Sequence, residues 1–392
     1  MKITLPLLVA LFFPVFADAK PVPEATKITE AAINAPGQAP KLAARTYLLY
    51  DYTTGQTLHE QNGHERIEPG SLTTLMTAYL TFSALEQNKL SLSQKVTPSN
   101  YAVRVQRSES RLFLERNKSV TVDELLHGLI IVSANDAARA LAETIAENEA
   151  AFAEQMNREA QRLGMADTHF VNATGLPDPL HYSSAYDLAL LSAAIVKDFS
   201  EHFALYSQRE YEFNHIKQYN RNRLLWLDPY VDGMKTGQTE SSGHSVVATA
   251  MRGNHRLISV VLGTASEHLR NSESQRLLNY GFQDFDIFYL YKKNETVSNV
   301  RLWKGTENSV KVGLREGLTL TLPKGQRALL KATIETQQPL LAPIGDGQQL
   351  GILRLTLDGK PYMELPLVAL ESVALVNIFS RGIDSIRMIF SQ

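Results

Sequence analysis

The chain has 392 residues, a length that suits two or three domains. Hydrophobic residues make up 44% of the chain and charged residues 20%, which excludes a largely disordered protein. The formal net charge of −2 argues against a general nucleic-acid-binding protein, because that class is usually basic. There are no cysteines, so disulfides, thiolate metal sites and cysteine nucleophiles are all excluded.

The amino terminus has the pattern of an export signal. The positive residue Lys2 precedes an apolar run over residues 3–16, and Ala17-Asp18-Ala19 supplies a small-x-small cleavage pattern. We therefore predict a signal peptide over residues 1–19. An uncleaved anchor helix is the alternative, although the run is shorter than the ~20 residues that a membrane span needs. Residues 20–42 are rich in proline and predict a flexible spacer.

Residues 43–285 mix strand and helix patterns and are predicted to form one domain. Strand signals lie at residues 46–51, 244–250 and 256–262, and helical patterns lie at residues 71–87, 122–132 and from Asn135 onwards. Gly55 marks a hairpin turn after the first strand, and Gly253-Asn254 marks one between the last two strands. Helices between strands at both ends predict an α/β (α+β) domain, with an antiparallel sheet covered by helices.

The remainder of the chain has a different pattern. Over residues 286–372 apolar residues alternate with polar ones, and Gly345-Asp346-Gly347 and Asp358-Gly359 predict hairpin turns, so we expect a small all-β, sandwich-like domain. In residues 373–392, apolar side chains recur at helical spacing from Val376 to Phe390. This pattern predicts a terminal amphipathic helix that lies on a membrane surface, or that docks on its own domain.

Three short motifs carry the chemistry. Ser71 stands at the start of a predicted helix, where backbone N–H groups stabilise a developing oxyanion. Ser133-Ala134-Asn135 lies between two predicted helices, and Lys235-Thr236-Gly237 precedes a predicted strand. Each motif alone is typical of a helix cap or a turn. In this order, however, the three are close to the signature of the penicillin-recognising serine enzymes.

The segments around these motifs narrow the class further. The stretches 69–77, 133–137, 172–177, 181–187 and 231–237 closely resemble the low-molecular-mass penicillin-binding proteins, and within them the serine D-alanyl-D-alanine carboxypeptidases. The resemblance spans residue 43 to the carboxyl terminus. It implies a penicillin-binding-protein/β-lactamase-like domain with no metal and no organic cofactor. It also implies peptidoglycan stem peptides ending in D-Ala-D-Ala as substrates, β-lactams as inhibitors, and a place on the periplasmic face of the inner membrane.

The resemblance also implies roles for individual residues. Ser71 matches the acylated nucleophile, Ser133 and Asn135 match the motif for proton relay and substrate placement, and Lys235, Thr236 and Gly237 match the motif that binds the terminal carboxylate and the substrate backbone. Arg270 falls where the family has an arginine that helps to bind that carboxylate. The second N–H of the oxyanion hole is expected at about Gln238 or Thr239.

One position departs from the family pattern. The first motif should read Ser-x-x-Lys, but its fourth position is Thr74, whose hydroxyl is a negligible base near neutral pH. Three interpretations stay open: a carboxypeptidase in which Lys235 takes the proton through Ser133, a pseudoenzyme that binds muropeptides or β-lactams without turnover, and a recent change of this one residue. A β-lactamase is a weaker hypothesis, which the missing lysine also opposes.

Other charged residues receive ordinary interpretations. His127, His181, His244 and His255 show no metal-ligand spacing. Glu109 and Glu115 precede the second motif, but nothing in their context supports a deacylating carboxylate. Arg221 is interpreted as a surface charge.

Overall fold

The computed structural model describes residues 39–376. The predicted signal peptide, most of the predicted spacer and residues 377–392 of the predicted terminal helix lie outside the described residues. None of the helices between residues 39 and 376 has the length and hydrophobicity needed to cross a bilayer. The described chain divides into two compact units, of which the larger comprises residues 39–287 with Thr321–Gly325.

The larger unit combines helices with an antiparallel sheet. Its strands are β1 (Thr46–Asp51), β2 (Gln56–Gln61), β3 (Lys95–Val96), β4 (Val120–Thr121), β5 (Glu210–Phe213), β6 (Ile216–Tyr219), β7 (Val231–Thr239), β8 (Gly243–Arg252) and β9 (His255–Thr264). Its helices are α1 (Thr74–Glu86), α2 (Val122–His127), α3 (Asn135–Ala146), α4 (Glu149–Arg162), α5 (Ala185–Asp198), α6 (Ser200–Phe203), α7 (Leu224–Leu227) and α8 (Glu267–Asp284). Five strands form the main sheet in the order β2-β1-β9-β8-β7, which leaves β7 at one edge.

Both faces of this sheet are covered, which explains why its strands are so apolar. In β1, Leu48 and Tyr50 belong to a core shared with α1 to α5, whereas Tyr47 and Leu49 belong to a second core shared with α8. Successive side chains of a strand point to opposite faces, so a strand buried on both sides needs apolar residues at every position. The predicted α/β fold, with its antiparallel sheet covered by helices, is confirmed.

Two local features differ from the sequence prediction. The helix predicted from Ser71 begins at Thr74, and residues Gly70–Thr73 form a 3₁₀ turn. The helix predicted over residues 122–132 is α-helical only to His127 and continues as a π-helical turn over Gly128–Val132. Residues 39–42, predicted as part of the spacer, pack against the larger unit, since Leu42 is buried in its core.

The smaller unit is all-β, as predicted. The strands from residue 285 onwards are β10 (Phe285–Tyr291), β11 (Thr296–Trp303), β12 (Ser309–Gly313), β13 (Leu318–Pro323), β14 (Leu330–Thr336), β15 (Leu340–Leu341), β16 (Gln349–Leu357) and β17 (Lys360–Ala369). Six of them form one sheet in the order β14-β16-β17-β12-β11-β15. The hairpin at Asp358-Gly359 is confirmed, because Leu357 pairs with Lys360.

The other predicted hairpin is wrong. Residues 345–347 do turn, but the strands on either side do not pair with each other: β15 pairs with β11, and β16 pairs with β14 and β17. A turn signal is local, whereas the pairing partner is chosen by the whole sheet. The described start of the predicted terminal helix is not helical either, since Val373 and Leu375 form isolated β-bridges with Ile344 and Gly305.

Candidate active site

Close backbone packing brings the first motif against the third. The turn that contains Ser71 lies along the edge strand β7, and a Cβ on Gly237 would come within 2.6 Å of Pro69 O. No side chain fits that space, so the Lys-Thr-Gly motif needs glycine at its third position. The packing therefore places Ser71 beside the strand that carries Lys235 and Thr236.

A second loop holds the serine segment from another side. Gly175 has a φ of +83°, and a Cβ there would lie 1.8 Å from Gly70 O and 2.8 Å from Thr73 Oγ1. The backbone at Gly70, immediately before Ser71, thus lies between β7 and the loop around Gly175. Ser71 is positioned mainly by main-chain contacts, since no described side chain forms a hydrogen bond with its Oγ.

We expect Gly175→Ala to destabilise the fold by more than the ~1–3 kcal/mol of a strained backbone, because the added methyl collides with Gly70 O. Gly164→Ala is the matched control, since Gly164 also has a positive φ (+80°) but would place its Cβ in open space. Denaturant unfolding of the two variants gives the comparison. If the two variants lose the same free energy of unfolding, the cost at Gly175 comes from its positive φ alone and not from a collision with Gly70 O.

The second motif has an unusual backbone that presents Ser133. The π-helical turn over Gly128–Val132 ends at Ser133, which has left-handed dihedral angles of φ 64° and ψ 38°. Such a conformation is uncommon for a residue other than glycine and is often found at functional sites. Here Ser133 Oγ accepts a hydrogen bond of 2.6 Å from Lys235 Nζ. The second and third motifs are thus in direct contact.

Lys235 is a buried amine whose proton is only weakly held. The residue is 2% exposed, and no carboxylate forms an ion pair with it among the residues that the structure describes. Burial, together with the nearby positive charges of Arg221 and Arg270, lowers its pKa to about 7. A substantial fraction of Lys235 is therefore neutral near pH 7 and can accept a proton.

Most of the predicted site residues line one cleft, which has a volume of about 500 Å³. Its lining includes Ser71, Ser133, Asn135, Thr236, Gly237 and Arg270, together with Gln238 and Thr239 of the expected oxyanion hole. Lys235 lies beneath this surface, in contact with Ser133. Arg270 is 4% exposed and pairs with Glu267 at 3.1 Å. The structure brings all the predicted residues to one place.

Thr74 does not take over the chemistry of the missing lysine. Its side chain is nearly buried, and Oγ1 donates a hydrogen bond of 2.7 Å to the backbone oxygen of Ser71. The hydroxyl therefore forms its hydrogen bond with the main chain of the turn and not with Ser71 Oγ. A proton acceptor for Ser71 must come from elsewhere in the cleft.

Two residues that line the cleft, Arg221 and Glu109, were not predicted from the sequence to belong to the site. Arg221 lines the cleft and donates a hydrogen bond of 3.4 Å to Ser110 Oγ. Glu109 also lines the cleft, and its Oε2 accepts a hydrogen bond of 2.7 Å from Asn135 Nδ2. Arg221 lies 14 positions before Lys235, and Glu109 lies 26 positions before Asn135, and neither residue belongs to a motif that would have indicated its place in the cleft.

The fold is that of the penicillin-binding proteins, as comparison with known proteins shows. Residues 33–266 match the D-alanyl-D-alanine carboxypeptidase family, and residues 285–375 match the C-terminal domain of penicillin-binding protein 5. The chain belongs to the D-alanyl-D-alanine carboxypeptidase family, the serine peptidases of family S11.

Individual relatives match nearly the whole chain. The D-alanyl-D-alanine carboxypeptidase DacC of Escherichia coli (strain K12) is 39% identical over 361 residues, which cover 91% of this chain and 90% of the relative. The crystal structure of penicillin binding protein 5 from Haemophilus influenzae has a TM-score of 0.83 at 40% identity, covering 86% of this chain and 99% of that one. Penicillin-Binding Protein D2 from Listeria monocytogenes, in its ampicillin-bound form, has a TM-score of 0.58 at 30% identity, covering 63% of this chain and all of that one.

Proposed function

We propose that this protein is a serine-type D-Ala-D-Ala carboxypeptidase that removes the terminal D-Ala from peptidoglycan pentapeptides through an acyl-enzyme on Ser71. The contact between Lys235 Nζ and Ser133 Oγ carries the proposal, because it joins a partly neutral amine to the cleft that contains Ser71. Membership of the carboxypeptidase family supports the reaction and the substrate class.

The proposed mechanism replaces the missing base with a two-step proton relay. Ser133 Oγ takes the proton of Ser71 Oγ while passing its own proton to neutral Lys235 Nζ. Ser71 Oγ then attacks the carbonyl carbon of the penultimate D-Ala, and the backbone N–H groups of Ser71 and of residue 238 or 239 stabilise the oxyanion. Lys235 returns the proton through Ser133 to the leaving D-Ala nitrogen, and water later hydrolyses the ester.

Substrate binding in this scheme uses charge and backbone together. The terminal carboxylate of the peptide binds near Thr236 and Arg270, and its extended backbone lies along β7, the edge strand of the main sheet. β-Lactams occupy the same cleft and acylate Ser71, in line with the ampicillin-bound form of the Listeria monocytogenes relative.

The binding-only alternative has one observation in its favour. Thr74 is not a base, and its hydroxyl is bound to the backbone of Ser71. If the relay through Ser133 does not operate, the cleft still binds stem peptides or β-lactams without turnover.

Labelled penicillin and mass spectrometry test the proposal. We expect slow but stoichiometric acylation at Ser71, steady release of D-Ala from diacetyl-Lys-D-Ala-D-Ala, and loss of both in Ser71→Ala. Saturable peptide binding with no acylation and no D-Ala release would instead establish the pseudoenzyme.

We also propose that the protein is exported and attaches to the periplasmic face of the inner membrane by its terminal segment. The apolar amino-terminal run and the amphipathic pattern of residues 376–390 support this location. Membrane fractionation with and without residues 376–392 tests the attachment: an unchanged membrane-bound fraction would reject it.

A further inference from the structure

We propose that His181 is a positioning residue for the nucleophile Ser71, because its ring holds Thr73 at the end of the same turn. His181 is only 2% exposed, and the proposed mechanism gives it no role. The inference rests on the proposed function in taking Ser71 as the residue that is acylated.

Two hydrogen bonds define where the proton of the His181 ring sits. The backbone N–H of Val171 donates to Nδ1 at 3.1 Å, so Nδ1 carries no proton. In a neutral imidazole the proton is then on Nε2, which lies 2.7 Å from Thr73 Oγ1. The Nε2–H group therefore donates to the hydroxyl oxygen of Thr73.

The surroundings of His181 favour this neutral ring. Burial lowers the pKa of the imidazole to about 4. The nearby His169 acts in the same direction, whereas the carboxylates of Asp178 and Glu68 act against it. Near neutral pH the ring is therefore uncharged, and both hydrogen bonds keep their direction.

The contact with His181 fixes the part of the turn that follows Ser71. The backbone of Gly70, before Ser71, already lies against Gly175. Thr73, after Ser71, is completely buried, and its hydroxyl has the His181 ring as a partner. With the turn held on both sides of Ser71, the nucleophile has little freedom to shift in the cleft.

The imidazole of His181 is itself held by contacts other than Thr73. In the same segment, Ser183 and Ile67 exchange two backbone hydrogen bonds of 2.9 and 3.0 Å. The ring also packs edge-on against Phe170, with 5.7 Å between the ring centroids. His181 can therefore act as a fixed partner for Thr73.

The rate of penicillin acylation at Ser71 tests the inference. We expect His181→Ala to lower the rate constant about 10–100-fold and to change the dissociation constant of the non-covalent penicillin complex less than about threefold, because a small displacement of a nucleophile affects the rate more than binding. His181→Gln should stay within about fivefold of the parent, because its amide can replace both hydrogen bonds of the ring. His169→Ala is the matched control and should leave the rate unchanged, because the ring of His169 lies against Leu180 O, at 2.7 Å, and not against the turn.

A double-mutant cycle separates positioning from a general structural effect. Thr73→Val keeps the shape of the side chain and removes the acceptor. If His181 acts through Thr73, His181→Ala lowers the rate no further in the Thr73→Val protein. A further loss of the same size in that background overturns the inference, and so does an equal loss in His181→Gln and His181→Ala.

NMR of the His181 ring nitrogens and of the backbone amide of Ser71 gives a readout that needs no acylation. We expect the ring proton on Nε2, and an amide signal of Ser71 that moves in His181→Ala and stays in place in His169→Ala. A proton on Nδ1, or a Ser71 signal unmoved by His181→Ala, also overturns the inference. If the parent protein is not acylated at all, the proposed function fails, and these signals still decide whether His181 positions Ser71.

Discussion

Thr74→Lys is expected to raise the rate of acylation of Ser71 by about 10²–10⁴-fold, the usual contribution of a general base. Residue 74 follows Ser71 by three positions, at the junction of the 3₁₀ turn and α1, so a lysine there lies beside the serine. It also adds a second amine to a site whose one described lysine is already partly neutral. Stopped-flow or gel measurements with labelled penicillin give the rate.

Thr74→Val is the matched control for that experiment. Valine keeps the shape of threonine and removes the hydroxyl, so only the hydrogen bond to Ser71 O is lost. We expect its acylation rate to stay within about tenfold of the parent, since a hydrogen bond of this kind contributes roughly 1 kcal/mol. A folded Thr74→Lys protein that is acylated no faster than the parent would show that the missing base does not limit the reaction.

Lys235→Met is expected to reduce acylation by about 10²–10⁴-fold and to remove its pH dependence near neutrality. In the parent protein the rate should rise with pH through about 7, because only the neutral amine of Lys235 can take the proton from Ser133. Methionine has a similar length and no titratable group. The pH profile of penicillin acylation between pH 5.5 and 8.5, with buffers of constant ionic strength, checks both statements. A parent rate that is flat across pH 7 would exclude Lys235 as the proton acceptor.

Lys235→Met is expected to lower the acylation rate but to increase the stability of the fold below pH 7. The pKa of Lys235 is lowered in the folded state, so between pH 7 and its ordinary value of 10.5 the unfolded chain binds more protons than the folded chain. The free energy of unfolding therefore gains a contribution that grows as the pH rises through this window. Below pH 7 the buried charge is a cost, and Lys235→Met should stabilise the fold by about 0.5–2 kcal/mol. Lys217→Met, at an exposed lysine paired with Glu210, is the control.

Local pattern was enough to predict most of the fold. The strand at Thr46–Asp51 and the hairpin that joins β8 and β9 are encoded by neighbouring residues, and they appear where the sequence placed them. The start of α1 was misplaced because the turn around Ser71 is shaped by its contact with β7, which is far away in the chain. Tertiary packing of this kind leaves no periodic signal.

Some residues of the candidate site could be predicted from the sequence, and others could not. Ser71, Ser133 and Lys235 stand in short motifs that are recognisable by their order along the chain, and the cleft brings them together. Arg221 and Glu109 carry no motif, and their place in the cleft depends on how loops fold against each other. The burial that lowers the pKa of Lys235 is also a property of the folded state alone.

The glycine-to-backbone contacts around Gly70 have a consequence for the history of this site. Because the main chain at Gly237 and Gly175 packs against the segment that carries the nucleophile, the position of Ser71 does not depend on a lysine at position 74. A lineage that lost its lysine would keep an intact framework, on which selection could rebuild the old activity or shape a new one.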